Sequence, residues 1–360
     1  MSYQSDTHLA PLFLSLIARA HGFRHLACRA EWPHGVRRPF MSPSMPNPIL
    51  ALSIALAIAL VSTTAAQSLP RTRSGAAAQT VPFDFSHREL GLNISVNGKP
   101  LYVLLDTGVD PSVIDLARAK ALGLPVQYGQ GGEGSGEGNG HAHVFPATIK
   151  TLVIDGQAWG DVDALAMDMA GLSKSYGKPL DGVLGYSFLV DKTVLIDYPA
   201  STVTFYTGSH PVEAAMKSCK LHYATPLVFA NADDRIPVLA DFRFGDAKAR
   251  ISLDTGSSRG ISLFPAGLDL KGVRAAIVHT GNVNGAGARG GFTTEGGRLN
   301  LSVGVGDFIH PAGSEITLMP DQSKPGIAAN LGNPTFADMQ VKLVIDYPGK
   351  KLAMYGDCGK

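Results

Sequence analysis

The sequence of 360 residues is short of the features that mark several common activities. It has three cysteines. Cys28 lies in a segment expected to be absent from or removed in the mature protein, which leaves Cys219 and Cys358 as an even pair. An oxidising compartment would join such a pair, and otherwise the two are idle structural thiols. His222 follows Cys219 by three residues, but a catalytic Cys and its His are normally brought together by the fold rather than by adjacency. The formal charge is only +1, with no basic patch and no acidic tail, so nothing points to a nucleic-acid partner.

Long apolar runs are also missing. Residues 49–61, ILALSIALAIALV, are free of charge, but about thirteen residues are too few to span a bilayer and instead suit the core of a signal peptide. Thr64 and Ala66 fit a cleavage site before Gln67. The stretch ahead of Met41 is too long for an ordinary signal-peptide n-region, so translation is expected to begin at Met41 or Met45. The expectation is an exported protein, periplasmic or secreted, with no stable membrane span once the signal is gone.

Other signatures fail on inspection. GYSFL at 185–189 begins like a nucleophile elbow but has Leu189 where the closing glycine belongs. DVDALAMDM at 161–169 lacks the spacing and glycine of a calcium loop. His141 and His143 form a His-x-His without further identified ligands, so no metal site is assigned. G-x-G-x-x-G occurs at 129–134 and 285–290, but neither copy sits between a clear strand and a clear helix, as a dinucleotide site requires. No metal or organic cofactor is implied.

What the chain does have is a repeat. LLDTG at 104–108 is matched by SLDTG at 252–256, which sets Asp106 and Asp254 148 residues apart. Each turn is preceded by alternating residues with a hairpin signal nine residues before the Asp, at Asn97-Gly98 and Gly245-Asp246. Gly185 in GVLGYSFL and Gly332 in ANLGNPTF follow their Asp by 79 and 78 residues, and Asp197 in VLIDYP and Asp346 in VIDYP by 91 and 92. Landmarks in this order at nearly fixed spacing mark a duplicated domain.

Each copy reads as short strands rich in Val, Ile, Leu and aromatics, punctuated by Gly, Pro and Asn, so the fold class is all-β, a barrel or sandwich in each half. One helix is expected near 113–122 and a second at 211–218. The expected organisation is a signal segment at 1–66 with a spurious upstream extension, a loose leader at 67–82, a first lobe at 83–207, a linker at 208–222 and a second lobe at 223–356.

A duplicated all-β unit with one Asp-Thr-Gly per copy resembles the aspartic peptidases in their two-lobed, single-chain form, over roughly 83–356. The later elements Val183-Leu184-Gly185 and, less cleanly, Asn330-Leu331-Gly332 carry the same resemblance, and GVLGYSFL looks most like the retropepsin version among retropepsin-like and pepsin-like bacterial enzymes. The resemblance implies two homologous closed-barrel lobes with few helices, an endopeptidase whose Asp106 and Asp254 share one proton to activate water, and an extended peptide or protein substrate. Two carboxyls held together cannot both ionise, which lets one pair serve as base and acid.

The resemblance further implies that Thr107 and Thr255 hydrogen-bond across the lobe interface, that Gly108 and Gly256 let the turns approach, and that Gly185 and Gly332 pack behind them. It makes the glycine tracts at 129–140 and 280–291 candidate flaps, with Gly134, Gly136, Gly285 and Gly287 as their flexible points; a plain surface loop is the other reading. Ser257 offers a hydroxyl to its carboxylate where Val109 cannot, so Asp254 would be the more readily ionised partner. The internal duplication makes a homodimer unnecessary, so a monomer is expected. A peptide-binding module that keeps the lobes without turnover is the alternative function.

Overall fold

A computed structural model describes residues 78–231, 235–320 and 324–359. The expected signal segment, the leader as far as 77, and Cys28 lie outside the described residues.

In the first lobe, apolar alternation makes strands and glycine-bearing turns end them. After β1 (Gln79–Pro82), β2 (Gly91–Val96) and β3 (Lys99–Leu105) form a hairpin through Asn97 and Gly98. Both turn residues have positive φ (49° and 72°), as a two-residue hairpin matched to strand twist requires. Then follow β4 (Ser112–Asp115), α1 (Leu116–Ala121), β5 (Gly132–Gly134), β6 (Ala142–Ile154), β7 (Gln157–Met167), α2 (Ala170–Tyr176), β8 (Gly182–Leu184), α3 (Tyr186–Leu189), β9 (Lys192–Asp197) and β10 (Thr202–Thr207). Strands run in the order β2-β3-β8-β4-β7-β6, and β6 returns to β2 through Ser95↔Val153 and Val96↔Leu152, closing a six-stranded barrel. The helix expected at 113–122 is shorter. Val113 and Ile114 are β-branched and extend β4, and the Asp115 carboxylate caps α1 by accepting from Arg118 N–H at 2.8 Å.

The second lobe repeats the plan with β11 (Lys220–Pro226), β12 (Val228–Phe229), β13 (Pro237–Phe244), β14 (Ala247–Asp254), β15 (Ile261–Leu263), α4 (Pro265–Leu268), β16 (Ile277–Gly287), β17 (Gly290–Leu299), β18 (Val303–Val305), β19 (Phe308–His310), β20 (Ser314–Leu318), β21 (Ala329–Gly332), α5 (Asn333–Asp338), β22 (Lys342–Asp346) and β23 (Lys351–Gly356). In both lobes the strand leading to the Asp pairs in parallel with the strand leading to the later glycine: Leu105↔Leu184 in the first, Asp254↔Gly332 in the second. The second sheet stays open, unlike the closed barrel expected for it. Where β6 runs unbroken from β7 to β2, the second copy breaks at 300–302 into β17 and β18, so no single strand completes the circuit.

The VLIDYP and VIDYP repeats build the sheet that joins the lobes, ordered β1-β10-β9-β22-β23-β11. β9 and β22 run antiparallel with Leu195 opposite Val344, and an ion pair from Lys342 to Asp197 braces one end. This sheet corrects two expectations. The end of the supposed leader is β1, held to β10 with Val81 buried opposite Val203. Residues 211–218 form turns rather than a helix, and the second lobe begins with β11 inside the supposed linker. Val212 and Met216 anchor these turns among Leu195, Tyr206, Val344 and Tyr355.

Cys219 and Cys358 are joined as a disulfide that closes a loop of 139 residues around the second lobe. Replacing both by serine is expected to cost about 2–4 kcal/mol, largely by freeing the unfolded chain. Urea unfolding measures this, and an unchanged midpoint would contradict it.

Candidate active site

Asp106 directly follows β3 and Asp254 ends β14, each at the rim of its sheet, where the Thr-Gly that follows turns the chain toward the other lobe. Both are buried, 0% and 2% exposed. Asp106 N–H is held by Leu184 O at 3.0 Å on the neighbouring strand. Gly256 N–H lies 3.1 Å from Asp106 Oδ1 and 3.1 Å from Asp254 Oδ1, one donor shared by both carboxyls. Gly108 N–H donates to Asp106 Oδ1 at 2.6 Å. The carboxyls also hydrogen-bond each other.

Only glycine fits beside them. A Cβ on Gly256 would stand 2.0 Å from Asp106 Oδ2, and one on Gly108 would stand 2.7 Å from Asp254 Oδ1. The threonines hold the turns in reciprocal fashion. Thr107 N–H donates to Thr255 Oγ1 at 2.9 Å and Thr255 N–H to Thr107 Oγ1 at 3.2 Å. Each hydroxyl then donates to the opposite strand, Thr107 Oγ1 to Leu253 O and Thr255 Oγ1 to Leu105 O, both at 2.9 Å.

Gly185 and Gly332 sit directly behind the turns, where a Cβ would reach 2.4 Å from Val109 O and 2.1 Å from Arg259 O. The residue after each glycine donates its N–H back to the turn: Tyr186 to Val109 O at 2.8 Å and Asn333 to Ser257 O at 3.1 Å.

The electrostatics of the two carboxyls differ. Burial and the neighbouring Asp254 charge hold the Asp106 carboxyl well above the usual carboxylate range, against the pull of the Gly108 and Gly256 amides. Burial also pushes Asp254 up, but the Lys324 charge and hydrogen bonds from Asp106 and Gly256 limit it to about 6.

Ser257 is not a donor to Asp254, contrary to the sequence expectation; its hydroxyl accepts from Arg259 N–H at 3.3 Å. The amide of Asn330 takes that place, donating to Asp254 Oδ2 at 3.1 Å. Asn330 stands opposite Ser252 in the register where the first lobe sets Val183 opposite Leu104, and Ser252 hydrogen-bonds the Asn330 side chain. A polar pair thus underlies one Asp and an apolar pair the other. The sequence carried the signal as the uncleanness of Asn-Leu-Gly beside Val-Leu-Gly. Val109 is fully buried with Leu104, Val113 and Val183 on the apolar side.

The two glycine tracts are hairpins whose tips meet. Gly134 ends β5 opposite Ala142, Gly136 lies in the loop beyond it, and Gly285 and Gly287 lie in β16 opposite Phe292 and Gly290. Gly140 N–H donates to Arg289 O at 2.6 Å, Arg289 N–H to Glu137 O at 2.9 Å, and Arg289 Nε to Gly140 O at 2.9 Å. Ala286 and Ala288 of the second-lobe hairpin pack with Val109, Val113 and Met167 of the first lobe. The tip brings in Glu137, which sequence reading passed over inside its glycine tract. Glu137 is 2% exposed and near enough to Asp254 and Lys324 for their charges to act on it. His141 and His143 lie on the exposed side of the same hairpin, 3.6 and 3.7 Å from Glu133.

The pair exists as one proton and one charge above the Asp254 value of about 6 and below the higher Asp106 value. Any chemistry that needs that form is therefore expected to rise as pH rises through about 6 and to fall only when Asp106 loses its proton. Asn330→Val removes a donor to ionised Asp254, so its acidic limb is expected at higher pH. A pH–rate profile measures both limbs, and coincident acidic limbs for wild type and variant would refute the role of Asn330.

Residues 92–188 match the family model described as aspartyl protease. No curated protein matches the sequence. Among the described residues no helix is long and apolar enough to cross a membrane. The family match covers the turn of Asp106 and the glycine behind it, and the second lobe repeats both around Asp254; the all-β, two-lobed architecture is consistent with the fold of the single-chain aspartic peptidases.

Proposed function

We propose that the protein is an aspartic endopeptidase, exported to the periplasm or secreted, acting as a monomer on extended peptide segments. The observation that supports it best is the joint held by Asp106 and Asp254: two buried carboxyls from different lobes, hydrogen-bonded to each other and to one shared amide. In that arrangement the ionised Asp254 takes a proton from a water molecule as it attacks the peptide carbonyl, and the protonated Asp106 donates toward the carbonyl oxygen. The neutral gem-diol collapses as Asp254 gives its proton to the leaving nitrogen and the carboxylate of Asp106 takes one from a gem-diol hydroxyl, the C–N bond breaking, which returns the pair to one proton and one charge. The Thr107–Thr255 bonds keep the two groups placed, and the hairpins exclude bulk water.

The export reading agrees with the Cys219–Cys358 disulfide, a bond that persists in oxidising compartments. The test is a mixed peptide library incubated with the protein between about pH 4 and 8, with products identified by mass. Defined cleavage sites support the reading. Peptide capture without any product would favour the non-catalytic binding module instead.

A further inference from the structure

The mechanism above leaves Glu137 without a task, and its setting is costly. Both carboxyl oxygens are buried, and neither has a hydrogen-bond partner among the described residues. A buried carboxyl of this kind loses hydration with nothing in exchange. The local chain is built to present it. Gly136 and Gly138 flank it with φ of 151° and 118°, conformations open to glycine, and Arg289 N–H fixes its carbonyl from the other lobe. A Cβ on Gly138 would lie 2.5 Å from the Arg289 backbone, so the side chain between the glycines is the one the tip delivers inward. Its neighbours are Asp254, which repels its charge, and Lys324, which attracts it without a hydrogen bond.

We propose that Glu137 is a specificity residue, which receives the ammonium or guanidinium group of a lysine or arginine side chain lying beside the scissile bond. The proposal rests on the reading of the Asp106–Asp254 pair as a peptide-hydrolysing site. A peptide cation at this place satisfies two orphaned oxygens at once and lies between two acidic groups, Glu137 and Asp254. An apolar side chain of equal length leaves the same oxygens desolvated and unpaired, and a neutral urea offers them hydrogen bonds but no charge to set against Glu137 and Asp254. Burial first of all, with Asp254 adding to it, pushes the Glu137 carboxyl up to about 8 against the pull of Lys324, which keeps it neutral at pH 7. A bound cation draws it to the carboxylate.

The experiment uses matched peptides differing only in arginine against citrulline, or lysine against norleucine, at each position within two residues of the cleaved bond. Cleavage rates and affinities are both recorded, for wild type and for Glu137→Gln. The expected result is at least about a tenfold preference for the charged peptide in wild type at one position, collapsing toward unity in Glu137→Gln. Because the readout is a ratio within each protein, a general loss of activity in the variant does not imitate it, and the affinity ratio remains readable if turnover fails. Equal handling of arginine and citrulline by wild type overturns the assignment, as does an undiminished preference in Glu137→Gln. Charge-selective binding without cleavage would sink the peptidase reading and keep Glu137 as the cation site; absence of both binding and cleavage would sink the two together.

Discussion

Asp254→Asn is expected to lower peptide hydrolysis by at least about a thousandfold while leaving the fold intact, and Asp106→Asn to do the same. Asparagine matches aspartate in shape, so the packing at a Gly256 that leaves no room for a Cβ is undisturbed. It cannot take up or release the proton that the pair must pass between water and substrate. Neither variant should lose stability, because burying a neutral amide beside one carboxyl is easier than burying two acids. Measuring kcat/KM together with thermal unfolding separates chemistry from folding. A variant that kept a tenth of wild-type activity would end the shared-proton account.

Thr107→Val and Thr255→Val in one protein are expected to cost about 2–5 kcal/mol and nearly all activity. Valine keeps the shape and the burial of threonine but removes the hydroxyl. Each hydroxyl accepts the opposite threonine's N–H and donates to a carbonyl of the opposite strand, Leu253 O or Leu105 O. The pair of substitutions therefore orphans two buried N–H groups and two buried C=O groups, at about 1–3 kcal/mol for each group left wholly unpaired, with partial relief as the interface relaxes. Relaxation moves the carboxyls apart, and a displacement of about 1 Å is enough to cost 10²-fold in rate. Chemical denaturation gives the stability term, and Thr→Ser at both positions should restore it. A valine pair within about 0.5 kcal/mol of wild type would show that the lobes are placed by something else.

The elements most legible in sequence were those whose chemistry is local. Asn97-Gly98 announces a hairpin because only certain residues accept positive φ there, and the recurrence of Asp-Thr-Gly, the later glycine and the IDYP strand announces two lobes of one plan whatever the loops do. The same logic explains the misses. QTVP at 79–82 became a strand because β10 offered an unpaired edge, a fact that lies more than a hundred residues away. The turns at 211–218 are shaped by Val212 and Met216 settling on the interlobe sheet and by the bond to Cys358, not by helix propensity. Ser257 is only three residues from Asp254 in sequence, but Asn330 reaches the carboxylate across a parallel strand pairing. Glu137 was hidden by its company, since a glutamate among glycines reads as solvated until the tip of the other hairpin is seen to hold it.

The contrast between Leu104 with Val183 and Ser252 with Asn330 has a genetic meaning. In an assembly of two identical chains every substitution occurs twice, so the halves of a shared site must stay equal however useful a difference would be. Two lobes carried in one chain are under no such equality. Here the pairs beneath the two acids differ in polarity, Ser252 with Asn330 against Leu104 with Val183, while the Asp-Thr-Gly turns themselves are the same in both lobes. Division of labour between twins needs only that they be able to mutate separately.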